Sequence, residues 1–343
     1  MHASNEVNAT PFDAGSRPAV VVTRGGIVES EHFVRFAVAT PDGTVQESVG
    51  DITGPAFLRS SAKPLICAVV VQSGAAERFG LSDEELAVAA GSHSGEPYHI
   101  QAVRSILRKI GVDESALECG PHPPIHEPSA KALVAEGLQP QRIHNNCSGK
   151  HAAIMALAVH RGVDPAGYTN PEHAAQVEIL NGCAELLGVE RASLIIGTDG
   201  CGIPVIAVPL RAAAVCFARF SDPNRFGSRW SAAVARVRNA MLAHPQYVAG
   251  TGRFDTDLMK AAAGAVLCKG GAEGYHASSA LEKGLGLCLK VADGNYRAVS
   301  PFVVDKLTNI GALDQRMAAA LRNHRRPKVK NYAGTVVGEI RAI

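Results

Sequence analysis

Hydrophobic and polar residues follow different patterns in different parts of the chain. Near the start, β-branched and apolar residues alternate with polar ones and predict strands at 19–23, 32–38 and 45–49, the last two joined by a turn at 41–44. From residue 60 apolar residues recur at helical spacing for about 200 residues. After residue 264 we predict strands at 265–269, 285–291, 296–299 and 334–340, with a helix near 301–323.

The middle of the chain is predicted to be helical. Its candidate helices lie near residues 62–73, 82–90, 97–110, 129–136, 148–160, 172–187, 206–218 and 226–243. Strands at both ends with helices between them predict an α+β fold, an antiparallel sheet built from both chain termini with a large helical insertion. We expect a flexible N-terminal arm at 1–17, sheet parts at about 18–54 and 264–343, and a helical part at about 55–263.

Composition excludes several classes of function. The 343 residues are 46% hydrophobic, and 34 Lys and Arg against 32 Asp and Glu leave a net charge of +2. This near-neutral charge lacks the basic excess of a protein that binds nucleic acid or a membrane surface.

There is no apolar run of membrane-spanning length and no apolar signal region at the N-terminus, so we expect a cytoplasmic protein. Eight cysteines without a C-x-x-C pair are too few for a disulfide scaffold.

Ser60 and Lys63 form the first pattern in the sequence that could support catalysis. They lie one turn apart at the predicted start of a helix, so their side chains share one face. The residues after Lys63 are apolar on all sides of the helix, which is typical of a buried helix, and burial lowers the pKa of a lysine. A neutral amine beside a hydroxyl can act as its general base. The alternative is an ordinary serine N-cap followed by a lysine that extends to solvent.

Two further segments extend this pattern. Gly91-Ser92-His93-Ser94-Gly95 is a loop of small and hydroxyl-bearing residues, and Lys269 stands before Gly270-Gly271 at the end of a predicted strand. Each segment alone fits an ordinary connector or a solvated strand end. Together they give the order S-x-x-K, hydroxyl-bearing loop and K-x-G found in serine β-lactamases and penicillin-binding proteins.

Cys147 and Cys201 lie in polar loops that contain glycine. Two thiols can share a soft metal ion such as Zn²⁺, with His144, His151 or a neutral Lys150 completing the site. The competing interpretation makes both cysteines small core residues. That interpretation is the simplest one for the other six cysteines, which are Cys67, Cys119, Cys183, Cys216, Cys268 and Cys288.

The chain resembles the Rhizobium-type L-asparaginases from about residue 20 to its C-terminus. The matching motifs are Arg59-Ser60-Ser61-Ala62-Lys63-Pro64, Gly91-Ser92-His93-Ser94-Gly95-Glu96, Asn145-Asn146-Cys147-Ser148-Gly149-Lys150-His151 and Gly197-Thr198-Asp199-Gly200-Cys201-Gly202. The resemblance implies a serine β-lactamase-like fold, hydrolysis of L-asparagine to L-aspartate and ammonia, and a homodimer. It also implies two Ser-Lys pairs, Ser60 with Lys63 and Ser92 with Lys269. A Zn²⁺ ion would be bound by Cys147, Lys150 and Cys201.

Acyl transfer gives each of these residues an expected role. Amide hydrolysis needs an activated hydroxyl, a site for the oxyanion and a proton for the departing ammonia. We expect Ser60 to be the nucleophile and Lys63 its base, with Ser92 and Lys269 relaying protons.

The substrate's charged groups need partners of opposite charge. We expect Asp199 to bind the ammonium and Arg59 the α-carboxylate of asparagine. Two alternatives stay open. The chain could be a glutaminase or another serine amidohydrolase on the same fold, or a zinc-dependent amino-acid-binding protein without turnover.

Overall fold

Both chain ends supply strands to one large sheet. The computed structural model describes residues 17–343, and its main sheet has the strand order β10-β11-β1-β2-β9-β8-β7, with β3 also paired to β2. The strands are β1 (Arg17–Arg24), β2 (Ile27–Ala39), β3 (Val45–Val49), β4 (Pro55–Phe57), β5 (Ile195–Thr198), β6 (Pro204–Pro209), β7 (Val266–Gly271), β8 (Tyr275–Ala280), β9 (Leu285–Val291), β10 (Lys328–Lys330) and β11 (Val336–Ala342).

Every strand pairing in this sheet is antiparallel among the described residues. β1 pairs with β11 through Val20 and Ala342, and β2 pairs with β9 through Val34 and Val291. Because the N-terminal strands β1 and β2 lie between the C-terminal strands β11 and β9, neither end could form this sheet alone. The α+β fold with a sheet built from both termini is therefore confirmed.

The middle of the chain is mainly helical. The helices are α1 (Lys63–Gln72), α2 (Ala75–Arg78), α3 (Asp83–Ala89), α4 (Pro97–Ile110), α5 (Glu127–Ala135), α6 (Ser148–His160), α7 (Ala174–Leu187), α8 (Leu210–Arg219), α9 (Ser231–Ala243), α10 (Pro245–Val248), α11 (Phe254–Ala261), α12 (Val299–Asn309), α13 (Gln315–Ala320) and α14 (Arg322–Arg325). In the described part of the chain, no helix is both long and apolar enough to cross a bilayer.

Helix α1 is the centre of the helical part. Its residues from Lys63 to Val70 are all buried, and it packs against α6, α7 and α9. Because its neighbours surround it, a polar side chain on α1 is removed from water and must find partners inside the protein. This burial determines the environment of Lys63.

Several predicted elements differ from the structure. The segment predicted as a helix at 206–218 is the strand β6 followed by α8, and β6 forms a small separate sheet with β4 and β5. Since β6 is buried on both faces, its apolar run lacks the alternation that marks a half-exposed strand. The predicted helix at 301–323 is divided into α12, α13 and α14, with Gly311 at a positive φ of 71° after α12.

The strand predicted at 296–299 is also wrong. Residues 296–298 form a short 3-10 turn and Val299 begins α12, because the Asn295 side chain accepts a hydrogen bond from Arg297 N at 3.2 Å and caps the turn. Strand β9 pairs with β2 and with β8, and the sequence analysis did not predict β8. Of the arm expected at 1–17, residues 1–16 lie outside the described residues and Arg17 begins β1.

Candidate active site

Ser60 lies in a sharply turning segment just before α1. Strand β4 ends at Phe57, and a 3-10 turn (Arg59–Ala62) leads directly into the helix. Arg59 has a φ of +50°, in the left-handed region that residues with a Cβ rarely adopt. Strained residues of this kind persist only where the surrounding structure holds them in place, and they cluster at functional sites. Ser60 itself is half-buried, so its hydroxyl is not sealed in the core.

The Lys63 amine is buried and bound to the loop that carries Ser92. Its Nζ donates hydrogen bonds to Gly91 O at 2.7 Å and to Ser92 Oγ at 2.8 Å. Burial lowers the pKa of Lys63, as the sequence analysis expects. The resemblance implies a pair of Ser60 with Lys63, whereas in the structure Lys63 is hydrogen-bonded to Ser92. The loop that carries Ser92 is also tied to the segment of Val248, because Ser92 N donates to Val248 O at 2.7 Å.

Lys269 lies near the end of β7 and is 1% exposed. Its Nζ donates to Gly270 O at 2.6 Å and lies 3.5 Å from Asp255 Oδ2, which also accepts from Gly270 N at 2.7 Å. Burial lowers the pKa of Lys269 to about 8, although the negative charge of Asp255 opposes this shift. Lys269 can therefore exchange its proton near neutral pH. The hydroxyl of Ser61, next to Ser60, donates to Lys269 O at 2.6 Å and so ties the two segments together.

Ser60, Ser92 and Lys269 line one open cavity of about 210 Å³. Pockets for drug-sized ligands are larger, roughly 300–1,000 Å³, so this cavity suits a small molecule. Its wall also includes four residues that the sequence analysis missed, Asn146, Arg253, Asp255 and Tyr296. The segment Gly250-Thr251-Gly252 before Arg253 and Asp255 was the available signal, since two glycines followed by opposite charges at a helix start resemble a ligand-binding loop.

The predicted metal ligands lie together. Lys150 Nζ donates to Cys201 Sγ at 3.0 Å, while Cys147 Sγ donates to Asn146 Oδ1 at 3.3 Å and Cys201 Sγ to Asp199 Oδ2 at 3.7 Å. The interaction between the two thiols lowers the pKa of Cys147 well below its usual range and raises the pKa of Cys201. All eight cysteines are buried and free.

The chemistry of these donors fits a soft metal ion. In the described part of the chain, no group of three or more His, Cys, Asp or Glu side chains is placed to hold a metal. A metal at Cys147 and Cys201 would therefore need the Lys150 amine as its third protein ligand. Of the two histidines considered in the sequence analysis, His151 binds Tyr168 Oη through Nδ1 at 2.6 Å, and His144 Nδ1 accepts from Gln141 N at 2.9 Å.

The two residues expected to bind the substrate's charged groups bind each other. Arg59 Nε donates to Asp199 Oδ1 at 2.8 Å, and both are largely shielded from solvent. Burial alone would raise the pKa of Asp199, but the charges of Lys150 and Arg59 hold it below its usual value. With Ser60, these residues line a second, enclosed cavity of about 20 Å³, which has room for about one water molecule. Ser60 thus lies between the two cavities.

Comparison with known proteins identifies a family whose sequence model matches nearly the whole chain. Residues 20–342 match the model of the family described as L-asparaginase II. A search of curated proteins found no match.

Solved structures give distant likenesses. One is a β-lactamase from Mycobacterium bovis, with 16% identity, a TM-score of 0.43 and coverage of 85% of this chain and 95% of that one. Another is a candidate β-lactamase from Bacteroides dorei, with 16% identity, a TM-score of 0.40 and coverage of 87% and 94%. The protein called Mglu has 15% identity, a TM-score of 0.38 and coverage of 82% and 68%. The family assignment does not depend on these likenesses.

Proposed function

The chain belongs to the L-asparaginase II family, and on this premise we propose that it hydrolyses L-asparagine to L-aspartate and ammonia. The family supports an amidohydrolase, and the cavity supports the finer proposal. The single observation that carries it is that Ser60, Ser92 and the Lys269 amine face one cavity of amino-acid size, with the Lys63 amine bound behind Ser92.

In the proposed first step, Ser60 Oγ attacks the carbonyl carbon of the side-chain amide. The hydroxyl proton passes to the Lys63 amine, either directly or through Ser92 Oγ, which is 2.8 Å from Lys63 Nζ. A buried lysine with a lowered pKa has the neutral form needed to accept that proton.

The C–N bond then breaks, and the leaving nitrogen takes a proton and departs as ammonia. An acyl ester remains on Ser60, and a water molecule hydrolyses it to free aspartate while Ser60 recovers its proton. We assign the proton exchange at the leaving group and the water to Lys269, because its pKa of about 8 allows both charge states near neutral pH.

Arg59 and Asp199 remain proposed substrate ligands from the sequence analysis. Their ion pair at 2.8 Å must open before either can bind a charged group of asparagine. The alternative role is positioning, in which the ion pair with Asp199 holds Arg59, with its strained backbone, next to the nucleophile. Variants of each residue, measured for KM and kcat separately, distinguish binding from positioning.

We also propose a Zn²⁺ ion held by Cys147, Lys150 and Cys201. Two thiols and an amine form a soft donor set, which supports zinc over magnesium or calcium. A zinc ion with three protein ligands would supply a Lewis acid next to the catalytic groups. Elemental analysis tests this: we expect one zinc per chain in the wild type and a clear loss in Cys147→Ser, while Cys216→Ser, which changes a buried free cysteine of α8 that lines neither cavity, keeps its zinc.

The decisive experiment for the activity measures ammonia release from asparagine and glutamine, together with the mass of the intact protein during turnover. We expect preference for asparagine, an acyl adduct on the peptide that contains Ser60, and a loss in kcat of about 10³-fold or more for Ser60→Ala. The exposed Ser193→Ala is the matched control and should keep wild-type rates.

Other results would favour the alternatives. Faster release from glutamine would indicate a glutaminase. Binding of asparagine without any ammonia release would indicate a binding protein. An acyl adduct on Ser92 would identify Ser92, and not Ser60, as the nucleophile. A homodimer and a cytoplasmic location stay predictions from the resemblance and the composition; light scattering on the purified protein tests the first.

A further inference from the structure

Among the described residues, the cavity contains one guanidinium group that forms no direct ion pair, that of Arg253; the Asp255 carboxylate lines the same cavity and interacts with it at longer range. Arg253 lines the same wall as Ser60 and Ser92 and is half-buried. Its Nη1 donates to Ser94 Oγ at 3.2 Å, a weak contact that uses one of five N–H donors. Within the described chain, no Asp or Glu oxygen lies within 4.0 Å of the Arg253 guanidinium. Its remaining donors are available to a ligand.

Arg253 is also held at a fixed position relative to the loop of Ser92. Glu96, at the end of that loop, accepts hydrogen bonds from Thr251 N and Thr251 Oγ1, both at 2.8 Å. Ser94 Oγ donates to Ala249 O at 2.8 Å. These bonds join the two segments on both sides of Gly250, so the backbone of Arg253 and the hydroxyl of Ser92 are carried by one connected structure.

The other cationic side chains near Ser60 already have hydrogen-bond or ion-pair partners within the protein. Arg59 forms an ion pair with Asp199 at 2.8 Å and lines the enclosed cavity of about 20 Å³, not the open one. Lys63 donates to Gly91 O and Ser92 Oγ, and Lys269 to Gly270 O, with Asp255 beside it. A planar guanidinium with free donors is the group that binds a carboxylate in bidentate fashion.

We propose that Arg253, not Arg59, binds the α-carboxylate of the substrate and thereby selects amino-acid amides with a free carboxylate over simple amides. This assignment rests on the proposed function, since it names the recognition group of that same cavity. Bound in this way, the α-carboxylate holds one end of the substrate at Arg253, and the side-chain amide at the other end extends toward the two serines.

The test compares two substrates that differ in that group. β-Alaninamide has the amide, the two-carbon spacing and the ammonium of asparagine, with a hydrogen in place of the α-carboxylate, and it has one amide from which ammonia can come. We expect the wild type to prefer L-asparagine strongly in kcat/KM. Arg253→Gln should reduce this preference by roughly 10- to 100-fold, the range for a charged hydrogen-bonded contact. Arg59→Gln should keep the ratio even if it lowers kcat.

Binding gives a readout that does not need turnover. Calorimetry with L-aspartate should show a loss of affinity in Arg253→Gln, a smaller loss in Arg253→Lys, and none comparable in Arg59→Gln. Circular dichroism confirms that each variant is folded, and Arg253→Lys keeps the charge should Arg253→Gln be unstable.

The outcomes separate this assignment from the proposed function. Loss of the substrate preference or of aspartate affinity in Arg59→Gln equal to or above that in Arg253→Gln would overturn the assignment, as would an unchanged ratio in Arg253→Gln. A wild type that binds L-aspartate but releases no ammonia would refute the asparaginase proposal alone. In that case aspartate affinity in the two variants still decides which arginine binds the carboxylate.

Discussion

Asp255 controls the charge of Lys269, and its removal tests the role proposed for this lysine. Asp255→Asn keeps the shape of the side chain and an oxygen that can accept from Gly270 N, now bound at 2.7 Å. It removes a negative charge 3.5 Å from Lys269 Nζ. Both side chains are at least nine-tenths buried, so solvent does not screen their interaction strongly.

The expected size of the effect follows from Coulomb's law. Two unit charges 3.5 Å apart interact by about 5 kcal/mol at an effective dielectric constant of ~20. This is a ceiling, since the Asn dipole and entering water replace part of the interaction. The other groups around Lys269 are unchanged: Lys63 and Arg253 lower its pKa, while Cys268 raises it. With 1.36 kcal/mol per pKa unit, we expect the pKa to fall by about 1 to 2.

The direction of the pH effect follows from the charge state. Ammonia release needs Lys269 to donate a proton to the leaving nitrogen, which it can do only when it is protonated, so kcat/KM should fall as the pH rises through the wild-type pKa of about 8. Without the carboxylate, the protonated form is lost at a lower pH, and the alkaline limb of the profile moves to lower pH. The assay is ammonia release from asparagine, measured from mildly acidic to alkaline pH.

A matched control separates this effect from general damage to helix α11. Asp257 lies on the same helix but forms its ion pair with His324 at 2.8 Å, away from the cavity. Asp257→Asn should leave the alkaline limb where it is. If the alkaline limb of Asp255→Asn stays near pH 8 or moves to higher pH while the protein remains folded, the carboxylate does not control Lys269 and the reasoning is refuted.

Two further variants test the contacts around the cavity. Ser92→Ala removes the hydroxyl that lies 2.8 Å from Lys63 Nζ, and we expect steady-state kinetics to show kcat reduced by about 10²- to 10⁴-fold; a change of less than twofold would exclude Ser92 from the proton path. Gly250→Ala should destabilise the fold by about 1–3 kcal/mol in urea unfolding, because φ is +128° and the added Cβ would lie 2.6 Å from Glu96 Oε1. Gly252→Ala is its control, with positive φ but open space around the Cβ, and equal losses in the two variants would contradict the role of the contact.

Local signals predicted many helices well. The helices expected at 97–110 and 148–160 match α4 and α6 residue for residue. At the start of α3, within the helix expected at 82–90, Ser82 and Glu85 form a capping box with both reciprocal hydrogen bonds. Amphipathic spacing and end caps act over a few residues, so the sequence carries this information directly.

Contacts between distant segments were harder to predict. Strand β8 contains a histidine and two serines, yet every residue in it is buried between β7 and β9. Its polar composition conceals a central strand, because its burial comes from its neighbours in the sheet. Asp255 and Arg253 were missed for a similar reason: they reach the cavity only because the loop at 250–253 is joined to the segment carrying Ser92.

The structure brings together residues that the motif resemblance singled out, but the resemblance did not predict their hydrogen-bond partners. Cys147, Lys150 and Cys201 meet as expected, and Ser60, Ser92 and Lys269 share a cavity. Which lysine bonds which serine depends on side-chain directions at the meeting point of a helix and a loop, and residue spacing does not specify those directions.

The arrangement of the large sheet has a consequence for how the protein is made. Strand β1 lies between β2 and β11, and its partner in β11 is synthesised more than three hundred residues later, as the pairing of Val20 with Ala342 requires. Contacts between residues so far apart in sequence slow folding because the intervening chain must first be ordered. During translation the helices can pack early, whereas β1 and β2 must wait with unpaired edges, which are prone to aggregation. We therefore expect the seven-residue strand β11 (Val336–Ala342) to complete the sheet late, so that chaperones matter most to the nascent protein until this strand has been made.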